Sequence, residues 1–284
     1  MIELGILGAA AVGWPAQPEP RPVRDLLKQV CPRAPRRVNR YIELALLGAW
    51  QCAAGRALQT DCALWLGSGR GYAGDTANLL ESVLIRGEAP MPVEFINVSG
   101  NAAGFYVAQL LGLSGRNSTI AAGPASFEAA LVLAAAGVAA RGGQALVGGV
   151  DECAYPLAHH RVRLGLGEEA VVGEGSSWLL LAAGQEECEA RLRLHRPVDN
   201  PKAVFAGDGE TWLSVGSGID AAARRELLAD WRGGVFDTSA ESGAYDSNAG
   251  FTLARFVASK PGRRLVHVSA ESAGRYRLIE VEVG

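Results

Sequence analysis

The chain has 284 residues, with 27 basic and 30 acidic side chains and a formal net charge of −3 at pH 7. This balance excludes the strongly basic surface that is typical of nucleic-acid binding. Hydrophobic residues make up 49% of the chain and glycine contributes 36 residues, which indicates a densely packed α/β protein. Five cysteines at irregular spacings favour a reducing compartment over a disulfide framework, so we expect a cytoplasmic protein.

The N-terminal third alternates between apolar runs and breaks. Residues 2–12 predict a first strand, with a signal peptide as the alternative, although no basic leader precedes them. Residues 13–35 predict a loop with a short helix near 24–30, and residues 41–57 a longer helix. A strand at 61–67, a helix at 75–86 capped by Asp75, a loop or short strand at 95–100 and a helix at 101–111 follow. We expect no run that crosses a membrane.

Residues 117–152 form the most informative stretch of the chain. They predict a turn, a helix from 125 to 140, a glycine stop and a buried strand that ends at Asp151 and Glu152. Glu128 is the only charged residue within the helix. Because a helix that is apolar all round packs on every side, we expect layers on both sides of it. A loop and a strand at 173–182 follow.

The second part of the chain repeats the plan of the first. Five segments (1–7, 64–69, 125–131, 145–152 and 178–182) are echoed in the same order by five others (190–195, 213–218, 249–254, 264–271 and 276–283). Five matches in one order indicate a duplicated α/β unit. We therefore expect two halves, 1–187 and 188–284, with one buried helix from each half between two sheets.

Residues 111–152 resemble the nucleophile region of the β-ketoacyl-acyl-carrier-protein synthases, which belong to the thiolase superfamily. In that family a GL-x-GP turn precedes a nucleophile elbow, a helix and a strand ending in GG-x-E. Residues 36–58 resemble its R-x-x-x-RF helix, residues 95–111 its dimer-interface segment, and residues 173–181 its GEG strand. The resemblance implies a thiolase-like five-layer αβαβα sandwich, with the 125–140 helix in the middle layer and with no cofactor.

The sequence departs from the family at each catalytic position. Pro124 stands where the family has its cysteine nucleophile, and it also lacks the backbone N–H that helps to bind the oxyanion there. The two family histidines match Val215 and Phe251, and the GFGG-like loop matches residues 272–275. The resemblance therefore implies a ketosynthase fold without condensing chemistry.

Other residues invite alternative interpretations. Ser126, Cys153 or His160 could serve a rebuilt acyl-transfer or hydrolytic site, although no motif places a histidine beside Ser126. Asp151, Cys153, His159 and His160 match no common zinc spacing, so we expect no metal site. Residues 67–74 lack the pattern of a phosphate-binding loop and predict an ordinary turn.

Two functions follow from these observations. In the first, the chain is a non-catalytic subunit, of the chain-length-factor type found in polyketide and aryl-polyene synthases. It would pair with an active ketosynthase and shape its acyl pocket through four residues of the dimer segment: Phe95, Asn97, Phe105 and Tyr106. An acyl carrier protein could meet the arginines between residues 33 and 40. In the second, the chain is an acyl-thioester transferase or hydrolase that uses Ser126, Cys153 or His160.

Overall fold

The computed structural model describes residues 1–284 except 32, 185–186, 205–208, 230 and 273. The strands assigned within this part are β1 (Ile2–Pro15), β2 (Ala63–Gly67), β3 (Asn117–Ile120), β4 (Gln144–Asp151), β5 (Gly173–Ala182), β6 (Ala190–Leu194), β7 (Thr211–Val215), β8 (Gly234–Val235), β9 (Arg264–Ser272) and β10 (Arg275–Val283). The helices are α1 (Val23–Val30), α2 (Arg40–Ala53), α3 (Ala73–Leu84), α4 (Pro92–Asn97), α5 (Ala102–Leu111), α6 (Ser126–Arg141), α7 (Leu157–Leu164), α8 (Ala221–Ala229), α9 (Ser239–Ser242) and α10 (Asn248–Ser259).

The strand order repeats itself about the middle of the sheet. The order is β3-β2-β4-β5-β1 in the first half and β6-β10-β9-β7-β8 in the second. Each strand of the first half thus has a counterpart in the second at the same distance from the β1–β6 pair. This arrangement confirms the predicted duplication. The predicted boundary between residues 187 and 188 falls between β5 and β6, next to residues 185–186, which lie outside the described part; it stays a prediction.

One long strand joins the two halves. β1 pairs with β5 from Gly5 to Pro15, and its first residues, Ile2 to Ile6, pair antiparallel with β6. The two expected sheets are therefore hydrogen-bonded into one ten-stranded sheet. The sequence predicts a strand of residues 2–12, but not that its two ends have different neighbours.

The helices cover the sheet in layers. Helices α1, α2 and α5 pack on the outer face of the first half, where Tyr41 and Trp178 are fully buried. Helices α6 and α10 lie between the halves, and Phe127 and Leu253 share one apolar cluster with strands of both. Helix α8 covers the outer face of the second half through Leu227. The predicted five-layer αβαβα sandwich is confirmed.

Helix α6 is buried along one side and exposed along the other. Phe127, Leu131 and Ala135 are fully buried, whereas Leu133 is 46% exposed. The prediction that the helix is packed on every side is therefore only partly right. Residues 123–141 are also long and apolar enough to cross a membrane by length and composition, contrary to our expectation, but 44% of that window is buried inside the fold.

Small residues let α6 approach the sheet. A Cβ atom added at Gly67, at the end of β2, would lie 2.4 Å from the carbonyl oxygen of Ser126. The backbone of the first turn of α6 thus rests directly on the end of β2. Only glycine leaves room for this contact, which fixes the distance between the start of α6 and the end of β2.

Several local predictions were wrong, and the expected loop between β4 and β5 contains helix α7. Residues 95–97 belong to helix α4 rather than to a loop or strand, and Asp75 lies in the first turn of α3 rather than at its cap. The expected turn after residue 117 contains the edge strand β3. Short elements such as these carry too few residues for their periodicity to be read, so tertiary packing decides their conformation.

The two faces of α6 allow a matched test of the middle layer. We expect Leu131→Ala to lower the free energy of unfolding by about 2–5 kcal/mol, because it leaves a cavity between the sheet halves. The same change at exposed Leu133 should alter it by less than about 0.5 kcal/mol. Urea unfolding followed by circular dichroism measures both, and equal losses would contradict the layer assignment.

Candidate functional site

The start of α6 offers no nucleophile. Pro124 is exposed within the 3₁₀ turn Gly123–Ala125 that leads into the helix. The hydroxyl of Ser126 donates to the carbonyl of Gly123 at 2.7 Å and accepts from the N–H of Ala122 at 2.8 Å. Ser126 is fully buried, and both hydrogen bonds of its hydroxyl group are made within the turn. Ser126 therefore closes the turn instead of presenting a reactive group.

The loop after β7 reaches this helix start. A Cβ atom added at Gly218 would lie 3.7 Å from Cβ of Pro124 and 3.9 Å from Cβ of Ala270. The motif matched to residues 215–219 thus lies beside Pro124. The Val215 side chain, however, packs with the apolar cluster under α8, on the outer face of the sheet.

The start of α10 also lies close to the start of α6. A Cβ atom added at Gly250 would lie 2.7 Å from the ring of Phe127. Phe251 is 1% exposed, and its ring lies 3.0 Å from a Cβ atom added at Gly13 of β1. Phe251 therefore fills space between α10 and the first half of the sheet. The assignment of Val215 and Phe251 to lost histidine positions stays a prediction.

A buried polar cluster lies beneath the first turn of α6. Oγ of Ser214 is 2.8 Å from Nδ1 of His267, and Nε2 of His267 is 3.4 Å from Oε1 of Glu128. Their residues are 3%, 2% and 4% exposed. Ser214 and His267 are register partners on the parallel strands β7 and β9, and both face the middle layer. In the sequence, Glu128 is only an isolated charge within an apolar helix. The cluster cannot be predicted from it, because its assembly depends on strand register.

A cavity of about 290 Å³ adjoins this cluster. Ser214 and His267 form part of its wall, together with Gly216 and Ser217 of the loop after β7. The rest of the wall is a mixture of polar and apolar side chains, including Thr238, Thr252, Asn248, Arg224, Val235 and Phe236. Near the start of α6, reactive groups and open space thus coincide at this cluster.

The other proposed reactive residues lie elsewhere. Burial raises the pKa of the Cys153 thiol to about 12, which keeps it protonated and unreactive. Nδ1 of His160 accepts a hydrogen bond from the N–H of Ala154 at 3.3 Å, and burial, followed by the charge of Arg163, lowers its pKa. Neither residue has the surroundings of an activated nucleophile. Among the described residues, no group of three or more His, Cys, Asp or Glu side chains is placed to hold a metal ion.

The end of β4 carries two buried carboxyl groups. Asp151 accepts hydrogen bonds from the Ser68 hydroxyl at 2.9 Å and from the N–H of Ser247 at 2.8 Å. Burial nevertheless raises the pKa of Asp151 to about 6. Glu152 accepts a hydrogen bond from the N–H of Gly74 at 3.0 Å, and burial raises its pKa to about 7. These groups tie the start of α3 and the loop before α10 to the sheet.

The predicted dimer segment divides into exposed and buried residues. Phe95 on α4 is 64% exposed and Phe105 on α5 is 55% exposed. Tyr106 packs partly into the outer core of the first half. The amide of Asn97 donates to the carbonyl of Arg37 at 3.3 Å, so this buried residue anchors α4 to the segment before α2.

Helices α3, α4 and α5 form a continuous run of exposed apolar residues, here called the α3–α5 surface. No residue of α3, which lies wholly within the described chain, is buried. The large apolar side chains of this surface that are exposed are Leu80, Val83, Leu84, Ile85, Met91, Val93, Phe95, Ile96 and Phe105. Scattered apolar residues are common on protein surfaces, but a run of this kind is typical of an interaction site.

Solved structures share this fold. The ishigamide ketosynthase/chain length factor is 18% identical, with a TM-score of 0.69, and the match covers 100% of this chain and 99% of that one. A β-ketoacyl synthase from Burkholderia phymatum STM815 is 12% identical, with a TM-score of 0.71 and full coverage of both chains. One chain of a complex between a type II PKS acyl-carrier protein and its ketosynthase (AntDE:AntF) is 10% identical, with a TM-score of 0.66. The match covers 100% of this chain and 99% of that one.

These matches confirm that the chain resembles ketosynthases and chain length factors in its fold. At such low identities they establish the fold alone. A scan against protein-family models and a search of the curated proteins found no match.

Glu152 predicts a pH dependence of stability. Its pKa rises from an ordinary value of 4.5 to about 7 on folding, so between these values the folded chain holds a proton that the unfolded chain releases. This stabilisation is complete below the unfolded pKa and is lost as the pH rises through the folded pKa, by on the order of 1–3 kcal/mol. Glu152→Gln should flatten that decline in urea unfolding, while the same change at exposed Glu169 should not. A Glu152→Gln profile as steep as that of the wild type would contradict the assignment.

Proposed function

We propose that this chain is the non-catalytic, ketosynthase-like subunit of a β-ketoacyl synthase complex, similar in role to a chain length factor. The observation that carries the proposal is Pro124, which occupies the exposed helix start where the resemblance places the nucleophilic cysteine. The N-terminal end of a helix favours a thiolate, and α6 presents none there. In this proposal an active ketosynthase, with its own cysteine, performs the condensation.

The α3–α5 surface supports a partner subunit. Phe95 and Phe105 are more than half exposed, and Leu84 on α3 is 75% exposed. The surface lies beside β3, the terminal strand of the sheet, whose outer edge offers backbone groups for pairing with another chain. The exposed side of α6, which includes Leu133, adds apolar area in the same half of the fold. We assign this region to the interface with the ketosynthase.

Phe95 and Phe105 are the best placed residues to shape a partner's acyl pocket. Both rings project from the surface that the partner would cover, and Phe105 lies edge-on to Tyr106, with ring centroids 5.4 Å apart. Asn97 supports Phe95 from below by holding α4 to the segment before α2. In this arrangement the aromatic rings limit the length of the growing acyl chain.

Three exposed arginines, Arg33, Arg36 and Arg37, precede α2. They form a basic segment that could attract an acidic carrier protein by charge complementarity. We include an acyl carrier protein among the proposed partners on this ground.

Pro124 provides the test of the non-catalytic role. Pro124→Cys should not produce a condensing enzyme, because a thiol alone lacks the imidazoles that stabilise the enolate formed on decarboxylation. General acid–base and electrostatic groups each contribute on the order of 10²–10³-fold, so their joint absence should hold the rate near background. Pro124→Ala should leave the activity of the assembled complex almost unchanged. Malonyl-thioester condensation by the purified complex measures both variants.

Two outcomes would refute this role for Pro124. The first is a large loss of activity in Pro124→Ala while the complex remains assembled, which would give the position a function beyond starting a helix. The second is robust condensation by Pro124→Cys without any partner. That result would mean that the family's two histidines were wrongly matched to Val215 and Phe251.

The two exposed rings predict product length. Phe95→Ala and Phe105→Ala should each lengthen the acyl product, because truncation of a ring opens space in the pocket. Val162→Ala, at an exposed residue of α7 outside the α3–α5 surface, is the control and should change nothing. Mass spectrometry of the products of the purified complex gives the answer. If the acyl product keeps its length when Phe95, Phe105 and Tyr106 are replaced in turn, the pocket assignment is wrong.

A further inference from the structure

The polar cluster beneath α6 has the connectivity of a nucleophile, a base and an orienting carboxylate. Nε2 of His267 lies 3.4 Å from Oε1 of Glu128, and Nδ1 lies 2.8 Å from Oγ of Ser214. In the tautomer that carries its proton on Nε2, the imidazole donates to Glu128 and Nδ1 can accept the proton of the Ser214 hydroxyl. A histidine whose tautomer is fixed by a carboxylate is the arrangement that activates a serine. In the usual serine hydrolases Nε2 faces the serine and Nδ1 faces the carboxylate. Here Nδ1 faces Ser214 and Nε2 faces Glu128.

The same cluster has access to a small open space. Ser214 and His267 line the cavity of about 290 Å³, while Glu128 is absent from its wall and lies behind the imidazole. A volume at the low end for ligand sites fits a short acyl group rather than a long chain. The Gly216–Ser217 segment forms the adjoining wall, so main chain as well as side chains would border a bound carbonyl group.

We propose that Ser214, His267 and Glu128 form a second site, an acyl hydrolase for short carboxylic esters and thioesters. The three residues of the site are distinct from Pro124, Val215 and Phe251, the positions matched to the family's catalytic groups, although Val215 also borders the cavity. The site therefore goes beyond the proposed subunit role and does not depend on it. Condensation remains with the partner, whereas hydrolysis belongs to this chain alone.

The reaction balances with water as its only co-reactant. Oγ of Ser214 attacks the acyl carbon while its proton passes to Nδ1 of His267, and the carbon–sulfur or carbon–oxygen bond to the leaving group breaks as that proton is delivered to it. Water then attacks the acyl-serine, Nδ1 takes its proton, and the ester bond to Ser214 breaks. The carboxylic acid leaves and the hydroxyl is restored.

Glu128 is a positioning residue in this scheme. Its carboxylate lies 3.4 Å from Nε2 of His267 and, in this scheme, fixes which ring nitrogen carries the proton. Glu128→Gln should therefore lower kcat with little change in KM, because the substrate itself does not touch residue 128. A purely structural role would instead change the melting temperature and leave the kcat of the folded fraction unchanged.

The experiment uses the purified full chain without a ketosynthase. Hydrolysis of acetyl, butyryl and octanoyl p-nitrophenyl esters and of acetyl-N-acetylcysteamine is followed, and a fluorophosphonate probe is used to label the nucleophile. We expect acetyl and butyryl esters to react faster than octanoyl esters, and the label to be found on the peptide that contains Ser214. Ser214→Ala and His267→Gln should each lower the rate by roughly 100-fold or more.

Ser269→Ala is the matched control. Ser269 is a buried serine two residues from His267 on β9, and it is not part of the cavity wall, so its loss should leave hydrolysis unchanged. Labelling of the wild-type chain needs no variant. It therefore tests whether Ser214 is a nucleophile even if a substitution impairs folding. A folded wild-type chain that neither hydrolyses these substrates nor takes the label would overturn the proposal, as would full activity in Ser214→Ala.

Discussion

Packing of α6 and α10 between the two halves of the sheet positions almost every feature described above. Phe127 and Leu253 share one apolar core with strands from both halves, and Gly67 admits the backbone of α6 directly against the end of β2. The position of α6 relative to the sheet is therefore set by packing on both sides. Because the helix start is fixed in this way, the loop after β7 and the first turn of α10 meet it at one place.

The packing at that meeting place does not depend on the proline that precedes α6. Apart from Ser126 and Glu128, the buried residues of α6 are apolar, so the packing that holds the helix does not depend on the side chain at residue 124. Pro124 lies in the turn that begins the helix and offers neither a thiol nor a backbone N–H. Beneath it, Glu128, His267 and Ser214 form a buried polar set, and Ser214 and His267 border a cavity of about 290 Å³. The apolar scaffold thus leaves room for polar groups beside the helix start.

Much of the fold could be predicted because the duplication leaves the same pattern in both halves. Segments that became β1, β2, α6, β4 and β5 recur in order as β6, β7, α10, β9 and β10. The edge strands β3 and β8 were missed because they have only four and two residues. The exposed side of α6 could not be foreseen, since an apolar side chain such as Leu133 looks the same whether it packs in a core or at an interface. The pairing of Ser214 with His267 required the strand register, which composition does not reveal.

The central claim is that this chain assists condensation without performing it. The most direct measurement compares malonyl-thioester condensation by the wild-type chain alone, by a ketosynthase that co-purifies with it, and by the reconstituted pair. The account predicts no condensation by the chain alone and full activity only when both subunits are present. Condensation by the wild-type chain alone, at a rate comparable to that of the pair, would contradict it.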